Sequence, residues 1–185
     1  MSIVELIIVV ALSTEVFTVV FINGFLREAG FSKVLLAGFM VAIIIALLAG
    51  MGFLVGLEIN KLLENFTDII STAILLVIGL KILLKSMKSK FQEMTWELTE
   101  FKILIGFSLA MGINSFLAGM ALARWETPLV ALLSLFFGVY FFVVLTGIIT
   151  GKINRNFILA VRTSFIGGVV LMAVALFSFF YNPSN

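Results

Sequence analysis

Glu15 lies in the stretch ALSTEVF, residues 11–17, with Ser13 and Thr14 beside it. Asn114 lies in AMGINSF, residues 110–116, followed by Ser115. A carboxylate, an amide carbonyl and three hydroxyls are the oxygen donors that a hard cation binds. Both stretches sit inside long apolar runs. A charged side chain at the centre of a bilayer costs about 2.5–3.5 kcal/mol on insertion scales, so such a residue is read first as functional. The structural alternative is a protonated Glu15 that hydrogen-bonds a neighbouring carbonyl and glues helices together. Taken alone, Asn114 reads as an ordinary interhelical hydrogen bonder. The mid-run acid with two hydroxyls next to it points to function.

The rest of the composition narrows the chemistry. The 185 residues include no cysteine and no histidine, which excludes disulfides, thiolate chemistry and haem ligation and makes zinc, copper or nickel sites improbable. No paired acids and no Ser–Lys or Ser–His combination occur within the apolar runs, so the sequence does not read as an enzyme. It implies no cofactor. With 62% hydrophobic and 12% charged residues, the chain has more apolar surface than a fold of this length could hide from water. It reads as an all-α integral membrane protein whose first partner is the lipid bilayer. The small net charge of +2 and the placement of basic residues beside the spans argue against nucleic acid.

Six helices have to position the polar stretches, at about Ile3–Leu26, Leu35–Leu57, Ile69–Leu84, Ile103–Ala123, Pro128–Thr150 and Phe157–Tyr181. The first run has no basic n-region and no convincing cleavage site, so it reads as a retained helix. In WETP, Thr127 is expected to cap the fifth helix and Pro128 to occupy its first turn, with Trp125 at the interface. Lys81 and Lys85 are expected to snorkel from the end of the third helix to the headgroups. Ten of the twelve basic residues flank the first, third and fifth connections, and only Lys61 and Arg124 lie on the other side. The positive-inside rule therefore predicts a multi-pass protein of the inner (plasma) membrane with both termini extracytoplasmic.

Three spans on each side of the third connection predict two inverted repeats, residues 1–87 and 103–185. They are joined by an amphipathic cytoplasmic connector, 88–102, in which Phe91, Met94, Leu98 and Phe101 recur at helical spacing. Laying ALSTEVF on AMGINSF sets Glu15 opposite Asn114, and Gly52 and Gly56 then correspond to Gly147 and Gly151. Inverted repeats hold substrates near the midplane at the repeat interface. Gly112, Ser115, Gly119 and Ala123 form a small-residue seam on the fourth helix, and Gly50, Gly52 and Gly56 form one on the second. Any helix break lining a cavity is expected at Gly112, Gly147 or Gly167–Gly168.

These motifs resemble the MntP-type manganese efflux pumps, small bacterial proteins with two inverted three-helix halves, and LysE-like small exporters more broadly. STEVF at 13–17 and GINSF at 112–116 look like the family's paired Ser-x-Asp-Ala-like motifs. VIGLKILLKSMK is similar to its third helix with a basic end, and GIITGKINRNFILAVRTSFIGG to its fifth-to-sixth connection. Glu15 and Asn114 stand where the family has aspartates, and apolar residues around Ile45 and Ser164 stand where it has further acids. The resemblance implies a cation exporter, with Mn²⁺ the transported ion and Glu15 and Asn114 its metal ligands. Hydroxyls of Ser13, Thr14 or Ser115 would complete the site. One carboxylate is thin provision for a dehydrated divalent ion. The alternative is a non-transporting membrane subunit that keeps the fold around a decayed site. A polar cavity reaching Glu15 favours the transporter, and burial of Glu15 against a hydrogen-bond donor favours the subunit. Homo-oligomer and membrane complex both stay open.

Overall fold

A computed structural model describes residues 3–26, 30–63, 66–87, 100–125, 127–154 and 157–180. The protein is an all-α membrane protein, and no strand occurs among the described residues. Its helices are α1 (Ile3–Leu26), α2 (Phe31–Leu62), α3 (Thr67–Met87), α4 (Phe101–Leu122), α5 (Leu129–Ile153) and α6 (Phe157–Phe180), with a 3-10 turn at Ala123–Trp125. All six long helices are long and apolar enough to cross a bilayer.

The largest departure from the expected boundaries is α2. It runs from Phe31 to Leu62, beyond the predicted Leu35–Leu57 at both ends. Its polar residues Lys33, Glu58 and Lys61 end the hydrophobic run without ending the helix, because charged straight-chain residues are good helix formers. Lys61 also pairs with Glu58 at 2.7 Å, three residues back. The amphipathic connector lies outside the described residues except at its end, where Phe101 and Lys102 already belong to α4. Thr127 does not cap α5. Pro128 stands at the N-cap without a side-chain bond, and the Thr127 hydroxyl donates instead to Glu5 of α1.

Helix contacts run between the first three helices and the last three. α2 packs on α4 and α5, α1 on α5 and α6, and α3 on α6 and, more sparingly, on α4. Among the long helices this pattern is unchanged when α1, α2 and α3 are exchanged with α4, α5 and α6. Glycines repeat it in detail. A Cβ on Gly52 or Gly56 would collide with the Phe116 or Met120 carbonyl of α4. One on Gly151 would collide with the Phe21 carbonyl of α1, and one on Gly147 with the Val20 side chain, with Phe17 next at 3.3 Å; the Glu15–Asn114 alignment lays Phe17 and Phe21 on Phe116 and Met120. At the α3–α6 crossing Gly79 meets Met172 and the Gly168 carbonyl, while Gly168 meets Leu83 and the Gly79 carbonyl.

Gly52 and Gly56 of the predicted α2 seam and Gly119 of the α4 seam thus let α2 and α4 approach at backbone distance, whereas Gly50 faces Leu133 of α5. Gly112, Gly147, Gly167 and Gly168 do not break their helices, which run unbroken through them. They serve close packing instead.

Candidate functional site

Glu15 stands midway along α1 and is only 4% exposed. Its two carboxylate oxygens have different partners. The Asn114 amide nitrogen of α4 donates to Oε2 at 2.6 Å, and the Lys85 ammonium of α3 donates to Oε1 at 2.5 Å. The Asn114 carbonyl oxygen in turn accepts from Lys81 Nζ at 2.7 Å. Three helices therefore converge on a chain running Lys85, Glu15, Asn114, Lys81. The amide is oriented by its neighbours, with its N–H toward the carboxylate and its oxygen toward the ammonium.

Sequence reasoning brought Glu15 and Asn114 together and missed the lysines. Both were expected at the headgroups; the structure turns them inward. In an α-helix each Cα–Cβ bond leans toward the N-terminus, so side chains near the C-terminal end of α3 lean back over the helix rather than beyond it. Lys81 and Lys85 are also one turn apart and share a face. Their spacing together with that lean was the signal that could have found them. Their partners, 33 and 70 residues away in sequence, were not readable from local pattern.

The hydroxyls fall elsewhere. Ser13 Oγ donates to the Val10 carbonyl and Thr14 Oγ1 to the Ala11 carbonyl, each at 2.7 Å within α1. Thr14 faces Gly167 of α6, where an added Cβ would strike its hydroxyl. Ser115 is fully buried and shares a 2.9 Å hydrogen bond with the Tyr140 hydroxyl of α5. At the positions where the resembled family carries further acids, Ile45 is buried in the apolar core and the buried Ser164 hydroxyl has no hydrogen-bond partner.

Among the described residues no group of three or more acids, histidines or cysteines could hold a metal ion. Two surface grooves, of about 350 Å³ between α1 and α6 and about 360 Å³ between α2 and α5, have apolar linings that include neither Glu15 nor Asn114.

A second polar cluster ties the helix ends on the side of the N-terminus. Arg124 Nε lies 3.4 Å from Asp68 of α3, its Nη2 lies 3.3 Å from the Ser178 carbonyl of α6, and its guanidinium stacks over Trp125. Glu5, 2% exposed, accepts from Thr127 close by.

Compared with known families, residues 28–179 match the model of the Mntp family, described as "Putative manganese efflux pump". The chain belongs to this family. The match contains Asn114, Lys81 and Lys85 and starts after α1, so Glu15 lies outside it. No curated protein and no solved structure matches the chain.

Proposed function

We propose that this protein exports a cation across the inner (plasma) membrane by alternating access around Glu15 and Asn114, with both termini outside. Mn²⁺ is the ion that membership in the Mntp family suggests. One observation carries the reading. Two helices distant in sequence bring a carboxylate and an amide within 2.6 Å of each other midway along their lengths, and an acceptor oxygen of each is already turned to a cation. Those oxygens now face ammonium groups, which a transported cation would have to replace. The exchange-invariant helix contacts support two inverted three-helix halves, residues 1–87 and 103–185, which is the plan such transporters use. The ten-to-two distribution of basic residues supports the orientation.

Metal accumulation in cells expressing the protein, measured beside protein level, tests this. Glu15→Gln should abolish export; because its NH2 would face one of the two donors that now meet an oxygen, export is compared at equal protein level. Asn114→Asp should raise the apparent affinity for Mn²⁺ by restoring an anionic oxygen. A second reading, a non-transporting subunit, is favoured by one specific observation: Glu15 is buried with both oxygens held by donors. It expects Glu15→Gln to change no metal content, and Asn114→Asp to destabilise the protein by burying a second acid.

A further inference from the structure

The central cluster holds two ammonium groups against one carboxylate, and both come from α3. The α3–α6 crossing shows how one-sided this is. Gly79 and Leu83 exchange with Gly168 and Met172 there. The same offset lays Lys81 on Val170 and Lys85 on Val174 of α6. The positive charge therefore belongs to one half only, delivered by one face of one helix. Lys85 sits in the last turn of α3, two residues before its end at Met87. From that position its stem leans back to Glu15, with the side chain still 17% exposed. Lys81 is exposed while its ammonium meets Asn114.

We infer that Lys85 is a tethered competitor that determines what the Glu15–Asn114 site admits. A transported cation binds Glu15 only in exchange for the Lys85 ammonium, which swings with its charge to the membrane face at the end of α3. The exchange keeps the carboxylate neutralised at every stage, which removes the cost of an uncompensated acid in the membrane. A monovalent cation replaces Lys85 charge for charge. A divalent ion adds one positive charge and so has to expel Lys81 from Asn114 as well. The lysine pair thereby sets a threshold against divalent ions that a site of two acids would not have. This inference rests on Glu15 being the ion ligand.

The test is Mn²⁺ binding to the full chain in lipid nanodiscs, read from the loss of the free-ion electron paramagnetic resonance signal. Lys85→Met should bind Mn²⁺ at least about tenfold more tightly than the wild type, and adding Glu15→Gln should erase the gain. Lys85→Gln keeps an N–H donor for Glu15 without the charge and should behave like Lys85→Met. Lys85→Arg keeps the charge and should bind no more tightly than the wild type. Equal affinity in Lys85→Met and wild type overturns the inference, as does a gain in Lys85→Arg that matches the neutral variants. If both neutral variants fail to accumulate while Lys85→Arg is normal, the ion pair is a structural requirement and displacement is overturned. Glu15→Gln in the export assay separates the two levels. Normal export there removes the ligand assignment itself, whereas lost export with no tightening in Lys85→Met removes only the competitor.

Discussion

The seam between α1 and α6 is closed by backbone and small groups, whereas the seam between α3 and α4 meets at a polar contact, Lys81 to Asn114. Exchanging the halves turns one seam into the other, so their difference is informative. On the α1–α6 side the Thr18 hydroxyl lies 2.8 Å from the Ala160 carbonyl, and Gly167 lets α6 come down onto Thr14 and the Ala11 carbonyl. The offset that matches Gly79 with Gly168 lays Gly167 on Ile78, which is fully buried on α3. Thr14 likewise has Ile113 as its counterpart, and that side chain is exposed. Gly167/Ile78 and Thr14/Ile113 are two places where the sequences of the two seams differ. The loose seam is where the lysines enter.

The comparison breaks most severely at Gly167. Gly167→Leu would drive a side chain into the Thr14 side chain and the Ala11 carbonyl, and the latter cannot retreat within its helix. Overpacking costs about 1–3 kcal/mol where side chains can adjust and more where backbone is struck. The expected outcome is little or no monodisperse protein in detergent. Gly106→Ala on α4, where a Cβ meets nothing within 4 Å, should be unaffected in the same preparation. A well-folded Gly167→Leu protein would mean that the tight seam is not set by this glycine.

On the loose seam, Lys81→Met removes the donor to the Asn114 carbonyl while sparing Glu15, which keeps Lys85 and the Asn114 amide. Loss of a buried acceptor's partner costs about 1–3 kcal/mol. The exposed lysine places the expected loss near the bottom of that range, at about 1 kcal/mol. Thermal unfolding in a mild detergent would read it as a modest drop in midpoint. A loss as large as that of Gly167→Leu would show that the two seams are equally rigid, against the contrast drawn here.

The smallest effect is expected at Thr18→Val, an isosteric change that deletes the hydroxyl reaching Ala160. Hydrogen bonds inside membrane proteins average about 0.6 kcal/mol by double-mutant cycles. The shift in unfolding midpoint should be barely measurable. If it exceeds that of Lys81→Met, the α1–α6 seam depends on this one bond rather than on the fit around Gly167.

How far the sequence alone led can be seen residue by residue. The six spans were legible because hydropathy is a property of long windows, and α1 begins and ends where the pattern placed it. The meeting of Glu15 with Asn114 was legible because one short alignment and an even division of spans put both at the same depth. Ser13 and Thr14 are turned to carbonyls three residues back, the common fate of a hydroxyl inside a helix. Lys81 and Lys85 did mislead. A basic pair at the end of a short span is the usual mark of an interface, and only the tertiary fold decides whether the stems point in or out. Thr127 was claimed by Glu5, 122 residues away, which no capping rule could foresee.

The interleaving of helices has a consequence for how the chain is made. Among the described residues, α1, α2 and α3 make their substantial contacts with α4, α5 and α6 and not with one another. A nascent first half therefore leaves the ribosome with nothing of its own to fold against. Its three helices have few contacts with one another, and the Lys85–Glu15 ion pair is one contact available within that half. Only when the later helices are threaded between them does the molecule acquire an interior. Assembly therefore waits for the second half and can begin with α4 on α2, the most extensive of the interfaces.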